Sequence, residues 1–598
     1  MVHAYPLPSE RSRGKEPALW SSLVLTTAIF SRTLPFATLL IFLTSATSRG
    51  QDTSTVAQSD SLLCEGRRIT NIELGSGIRA VGDEVPGLFR PIVNLVLGGA
   101  RTKASALRPY VLLEPGSVCT EARRREGERL LRGLKYVAGA RLRPETDGDG
   151  VRIVVETSDD LRPIVGMTLD DNTPESVKLG TVNLGGTGTL IEGHWDDGGA
   201  FRDGYGVRAG NQTIFGRRAL FGISVDTRPL GNRTFISLSE PYLTRFQSIA
   251  WELSLRDETE YIPLDRNVAD RSAWRTAWRT FNAGALGRIS LGSIQLLAGG
   301  LYTHERISPA DSGVIITATG LESPTTPALA DRYVRQSGAR AGVIGGIRAL
   351  SFSTAEGLQT VYGVHDIARG VQAAAVVGRG VSSDDDHPFI ATEVYAGVGG
   401  PKSFASARVV AERRSSEAQH TARLVSSRLA WYWRVSDRQT QEVSAEFSGI
   451  WREDVPGAVF LDDRLTGPRG FDGSVASGSR LAVGRFERRL RLGGFGGSVG
   501  FGGAAFVDAA KLWSGDAPLG VTTDPQFSAG VGFLVALPRN SRKTIRIDAS
   551  YPFTQPDGVG GFDVRLTVTN AGRTYWREPA AFQRSRIVPM LRSLLGWF

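Results

Sequence analysis

The sequence predicts a mainly β protein: a transmembrane antiparallel β-barrel of about sixteen strands, preceded by one small α+β domain. Three observations lead there. From about Leu161 to Trp576 no helix-length periodic segment appears, and apolar and polar residues alternate with period two between Gly, Asp, Asn and Pro turns. Helical patterning is confined to residues 62–159 and to the C-terminal end. An export signal precedes both.

That signal comprises the basic residues Arg11, Arg13, Lys15 and Arg32, the apolar run from Leu34 to Leu43, and the small residues Ser45 to Ser48. It is the pattern of a secretory signal peptide within residues 1–50. The apolar core is too short for a membrane anchor. More residues precede it than a usual leader carries, so the start codon and cleavage site stay open.

The composition, with 71 glycines among 598 residues and 41% hydrophobic residues, resembles a soluble protein. A lipid-facing barrel has the same average, because each strand alternates apolar and polar positions. The net charge of +9 comes from arginines scattered along strands rather than clustered, which argues against nucleic acid and for a polar lumen. Cys64 and Cys119 both lie in the first exported segment, where they form either a disulfide or two buried thiols.

Residues 62–159 are expected to form one unit. Ile69, Ile72 and Leu74 mark a strand, Pro86 to Leu97 an apolar segment of helix length, and Pro115-Gly116 a turn. Thr120 to Leu134 follows as a helix, then strands at Val137 to Leu142 and Val151 to Glu156. Asp147-Gly148-Asp149-Gly150 between these strands is a hairpin turn, since the further ligands of a calcium loop are missing downstream.

In the barrel region, Leu429, Trp431 and Trp433 share one face against Arg428, Ala430, Tyr432 and Arg434. Val443, Ala445, Phe447 and Trp451 likewise oppose Glu442, Ser444, Glu446 and Ser448. A soluble sandwich would alternate too, but aromatic strand ends and the export signal place these strands in a membrane. Backbone spanning lipid must close on itself, and about 415 residues divide into about sixteen strands with their turns.

Residues 577–598 form an amphipathic tail, with Ile587, Met590, Leu591, Leu594, Leu595 and Phe598 on one helical face and Arg584, Arg586 and Arg592 elsewhere. It suits either a helix lying on the membrane surface or one folding back to cap the barrel or the small domain.

The stretch from Leu465 to Gly473, containing Pro468-Arg469-Gly470-Phe471, is followed by Arg485-Phe486-Glu487-Arg488-Arg489 and by Phe506-Val507-Asp508. This order resembles the outer-membrane insertase and translocon superfamily typified by BamA and TamA, the bacterial surface antigen family. Val182 to Gly188, Ile236 to Leu243 and Ile545 to Phe553 resemble further landmarks of that family in the expected order. The order of elements in 62–159 resembles a single POTRA domain. The resemblance implies a bacterial outer-membrane barrel with this domain in the periplasm. It also implies that the long outer loop folds into the lumen, with Arg469 reaching Asp508, Glu487 nearby, and Gly470 and Phe471 completing the tip. Pro468, in place of a β-branched residue, and Ala510, in place of a glycine, depart from the pattern.

The implied function is insertion or export of unfolded outer-membrane or secreted clients. The small domain would offer a strand edge, and the barrel would open laterally at a seam between a first strand at Pro163 to Asp171 and a last strand at Phe562 to Trp576. Outer-membrane lipid surrounds such a barrel, and periplasmic chaperones or accessory subunits fit as further partners. A passive pore or structural barrel is the alternative. No cofactor, metal site or enzymatic activity is expected, because none of the six histidines sits in a metal-spaced pair or beside a nucleophile motif. Asp384-Asp385-Asp386-His387 suits a solvated outer loop better than a cation site.

Overall fold

The computed structural model describes residue 60, residues 62–75 and residues 101–596, apart from stretches at 171–172, 242–243, 266–269, 324–331, 334, 383–385, 416–420, 452–454, 463–465, 473, 496–497, 555–560 and 571–577. The signal peptide at 1–50 and the Pro86 to Leu97 segment lie outside the described residues.

The small domain contains β1 (Ile69–Leu74), α1 (Ala104–Leu107), a 3-10 turn at Arg108–Tyr110, α2 (Glu121–Arg132), β2 (Val137–Asp147) and β3 (Gly150–Asp159). Its sheet order is β1-β3-β2, with β1 parallel and β2 antiparallel to β3. Asp147 pairs with Gly150, and Gly148 takes a positive φ of 57°, so the hairpin turns on two residues as its sequence predicts. The fixed charges of α2 follow the helix dipole, with Glu121 in the first turn and Arg129 and Arg132 in the last. Burial works against the charge of Glu121, but hydrogen bonds from Arg124 and Arg125 outweigh it and hold the carboxyl below its usual range. Leu130, Leu131, Tyr136, Ile153 and Val155 pack with Tyr110 in one core. Cys64 and Cys119, also in that core, are joined by a disulfide closing a loop of 55 residues.

The barrel begins directly after β3. Its strands are β4 (Pro163–Asp170), β5 (Thr173–Leu184), β6 (Thr189–Asp196), β7 (Gly204–Asn211), β8 (Leu220–Arg228), β9 (Gly231–Glu240), β10 (Ile249–Pro263), β11 (Asp270–Leu291) and β12 (Ile294–Pro309). A hairpin of β13 (Val314–Thr317) and β14 (Gly320–Glu322) extends the end of β11. There follow β15 (Gln336–Glu356), β16 (Val364–Gly380), β17 (Pro388–Gly399), β18 (Ser403–Ser415), β19 (Thr421–Ser436) and β20 (Gln439–Trp451). The long loop carries β21 (Val459–Phe460) and β22 (Ser477–Gly478), and the sheet resumes with β23 (Arg480–Phe495), β24 (Val499–Trp513), β25 (Gln526–Ala536), β26 (Lys543–Pro552) and β27 (Asp563–Asn570).

The sheet closes between β27 and β4. Among the described residues twenty-two strands take part; setting aside the β13–β14 hairpin, twenty go round the barrel, a correction to the sixteen expected. The expectation assumed uniformly long strands, whereas β4, β6 and β7 each have eight residues and are joined by short turns. The two sides therefore differ in height: β11 runs to 22 residues and β15 to 21.

Alternation sorts the strands as the sequence indicates. Leu429, Trp431 and Val443 point outward and are exposed, while Tyr432, Glu442 and Ser444 are buried inward. Outward positions such as Val165, Val343, Val377, Val531 and Leu566 make an apolar girdle. Among the described residues no helix is long and apolar enough to cross a membrane.

The small domain closes against the barrel end where β3 runs into β4. Arg132 pairs with Asp366 at 2.7 Å, Asn540 donates to the Ser158 hydroxyl at 3.0 Å, and the Lys103 amide donates to the Gly186 carbonyl at 2.8 Å.

The tail resolves the choice its sequence leaves open. Two short helices, α3 (Ala580–Arg584) and α4 (Leu591–Leu594), run inside the barrel. Ile587, Met590, Leu591, Leu594 and Leu595 are buried against inward residues of β10 to β12 and β15 to β17, so lipid does not receive this apolar face. Phe598 lies outside the described residues.

Candidate functional site

The loop between β20 and β23 descends into the lumen, where Arg469 is buried. Its side chain forks onto Asp508 of β24, Nε to Oδ2 at 2.9 Å and Nη2 to Oδ1 at 2.7 Å, while its backbone amide donates to the same Oδ2 at 3.0 Å. The remaining Nη1 donates to Glu487 Oε2 of β23 at 2.8 Å, and the guanidinium lies 3.4 Å from the centre of the Phe506 ring. Arg469, Glu487 and Asp508 are 8%, 3% and 0% exposed, so the pairs are shielded from water and the fork geometry counts fully.

Sequence alternation explains why these groups meet. Arg485, Glu487 and Arg489 share the inward face of β23, and Phe506 and Asp508 share that of β24. Further groups on the strands then fix the tip. Ser528 of β25 donates to the Arg469 carbonyl at 2.6 Å, and Arg485 donates to the carbonyls of Thr466 and Gly467 at 3.0 and 2.9 Å. Phe471, fully buried, packs with Val459, Leu461, Leu481 and Ala510. Ala510, where a glycine was expected, thus adds its methyl to this cluster.

Gly470 has φ 87°, the left-handed region. A Cβ there would meet Ser550 and Ser528 at 3.4–3.5 Å, ordinary contact, so backbone conformation rather than space demands glycine. Gly470→Ala is therefore expected to cost about 1–2 kcal/mol. The readout is faster proteolysis of the loop, with Gly470→Asn milder than Gly470→Ala because Asn tolerates this region.

The sequence reading named Glu487 only as a neighbour; in the structure it is a hub. Arg546 of β26 reaches both its oxygens at 3.0 and 2.9 Å, and Arg489 reaches Oε1 at 3.1 Å. Arg546 also holds Asp548 at 3.0 Å, and Arg489 holds Glu442 at 2.6 Å. The signal for these partners was present in the alternating Ile545-Arg546-Ile547-Asp548 run, whose charges had to face inward. At the far side of the tip, Asp472 pairs with Arg565 of β27 at 2.5 Å. The arrangement holds charge and fixes a loop.

The proposed seam residues are unevenly placed. Pro163 opens β4, and Phe562, 68% exposed, immediately precedes β27. Asp171 and Trp576 lie outside the described residues. Asp384 and Asp385 do as well, whereas Asp386 pairs with Arg379 at 2.9 Å. Among the described residues no cluster of three or more potential metal ligands occurs.

Fold and loop together define a closed antiparallel β-barrel that holds a long arginine-tipped loop in its lumen. The solved structures to which the chain is similar include BamA from Haemophilus ducreyi lacking POTRA domains 1–3, at 12% identity over 84% of this chain and 84% of that one, with a TM-score of 0.39. They also include CdiB from Escherichia coli, at 13% identity over 84% and 75% with a TM-score of 0.42. CdiB from Acinetobacter baumannii matches at 11% identity over 84% and 74%, with a TM-score of 0.38. No family model and no curated protein matches the sequence.

Proposed function

We propose that this protein inserts or translocates client polypeptides at the bacterial outer membrane, with its small POTRA-like domain in the periplasm and a barrel that opens laterally between β4 and β27. The observation that carries this reading is the Asp472–Arg565 pair. The loop tip that Arg469 fastens to β23 and β24 is thereby also fastened to β27, a strand of the closure. Loop position and seam are mechanically linked.

The seam also has a short strand on one side. β4 has eight residues, which at about 3.3 Å per residue span roughly 26 Å before tilting shortens it further. That is less than the roughly 30 Å of a hydrocarbon core, so lipid beside the seam is thinned and strand separation there costs fewer hydrogen bonds.

Clients would first meet the small domain. The outer edge of β2 is occupied: Arg124 donates to the Leu142 carbonyl at 2.8 Å, the Leu142 amide donates to Glu128 at 2.9 Å, and Arg132 donates to the Ala140 carbonyl at 3.2 Å. β1 is the other edge of that sheet; its Ile69 end is bonded to Gly116 and Ser117, and an extended client would add along the rest of the strand by β-augmentation.

Cysteines introduced along β4 and β27 and bridged with a bifunctional maleimide test the mechanism. Client assembly is expected to stop on bridging while unbridged variants work normally. Unimpaired assembly by the bridged protein would leave a passive pore as the better description.

A further inference from the structure

The lumen wall is polar in part, and one of its apolar arcs lies against the C-terminal tail. On β10 to β12 and β15 to β17 the inward residues include Ala250, Leu286, Leu301, Ile344, Val376 and Phe389, each at most 6% exposed. A water-filled lumen has no use for such an arc. Its cover is the C-terminal tail, whose Met590, Leu591, Leu594 and Leu595 complete the same apolar cluster.

Charge fits as well as shape. The tail's Arg584 pairs with Glu260 of β10, and Arg586 stands 3.6 Å from Glu412 of β18. Glu412 also accepts the Ile587 amide at 2.6 Å, and Arg348 of β15 donates to the Leu595 carbonyl. Gly284 of β11 leaves the room the tail needs: a Cβ there would come within 2.5 Å of Met590 Sδ and 3.1 Å of Leu594. Above, Ala581 and Phe582 pack with Phe471, so the tail also touches the cluster at the loop tip.

Helices of five and four residues are too short to persist alone, so the wall imposes their shape. We propose that this apolar arc, with Glu260 and Glu412, is a binding site for a short basic, apolar polypeptide segment, filled at rest by the chain's own residues 578–595, which thereby plug the pore. On the translocation reading above, an incoming client segment of the same chemistry competes for this arc. The plug itself does not depend on that reading.

The test compares ion conductance of the full chain and of a chain ending at residue 577 in planar lipid bilayers. Truncation is expected to raise single-channel conductance severalfold, since the part of the lumen that the tail fills becomes aqueous while the long loop stays in place. A synthetic peptide of residues 578–598 should return the current to the full-chain level, and the same peptide carrying Arg584→Glu and Arg586→Glu should not. Gly284→Trp in the full chain removes the tail's space without shortening it, and should conduct like the truncated protein. This variant decides the matter if truncation prevents barrel assembly. Equal conductance of the full chain and an assembled open variant, whether truncated or Gly284→Trp, would overturn the proposal, as would a peptide that blocks equally well with its arginines reversed.

Discussion

Arg469→Ala and Asp508→Ala are each expected to free the long loop from the lumen, and the double mutant to be no worse than the more damaged single. The reason is the burial of both partners. Asp508 is fully buried and receives three hydrogen bonds from Arg469, two from the side chain and one from the backbone. Removing the guanidinium strands that carboxylate, and breaking a buried pair from one side costs about 3–5 kcal/mol. Removing both groups strands neither charge of the pair, and Glu487 keeps Arg489 and Arg546; only the backbone amide of residue 469 loses its acceptor. Arg469→Lys should also fail, because an ammonium cannot fork onto Asp508 while reaching Glu487 and stacking on Phe506. Limited proteolysis of residues 452–479 reads the loop, and client assembly reads the consequence. Strictly additive defects, or an intact loop in Arg469→Ala, would show that the pair does not hold the loop.

Glu487→Ala should be the more destructive change. Three guanidiniums, those of Arg469, Arg489 and Arg546, converge on its two oxygens from the loop, from β23 itself and from β26. Its loss brings three buried cations together without their shared anion, so repulsion adds to the penalty of the broken pairs. A loss of at least about 3–5 kcal/mol is expected, seen as a lowered temperature for heat-induced unfolding of the barrel on semi-native gels. Glu487→Gln keeps the shape and should still fail, since a neutral amide cannot balance the charge. Adding Arg546→Ala to Glu487→Ala should recover part of the loss, because one stranded cation disappears. No recovery would place the importance of Glu487 in packing rather than in charge.

Much of this was legible in the sequence because its rules are local. Period-two alternation decided which face of each strand met lipid, so Leu429 and Trp431 outside and Tyr432 and Glu442 inside followed directly. The Asp147 to Gly150 turn and the α2 helix were likewise fixed by neighbouring residues. The ordered Arg469, Glu487 and Asp508 run, read through a family resemblance, indicated a loop reaching into the barrel. Other features depended on distant partners. Strand number depends on how short a strand the membrane accepts, and the eight-residue β4, β6 and β7 raised the total to twenty among the described residues.

The sequence by itself determined a β-barrel with one small α+β domain, the orientation of its side chains and the charges of its loop tip, since each follows from spacing along the chain. Only the tertiary structure decided that Glu487 serves three arginines, that Asp472 ties the loop to β27, and that the C-terminal tail fills the lumen. An amphipathic segment specifies that its apolar face be covered, and lipid, a domain surface and a barrel wall satisfy that demand equally. The choice fell to residues hundreds of positions away, the inward Leu286, Ile344 and Val376, which needed a cover of their own.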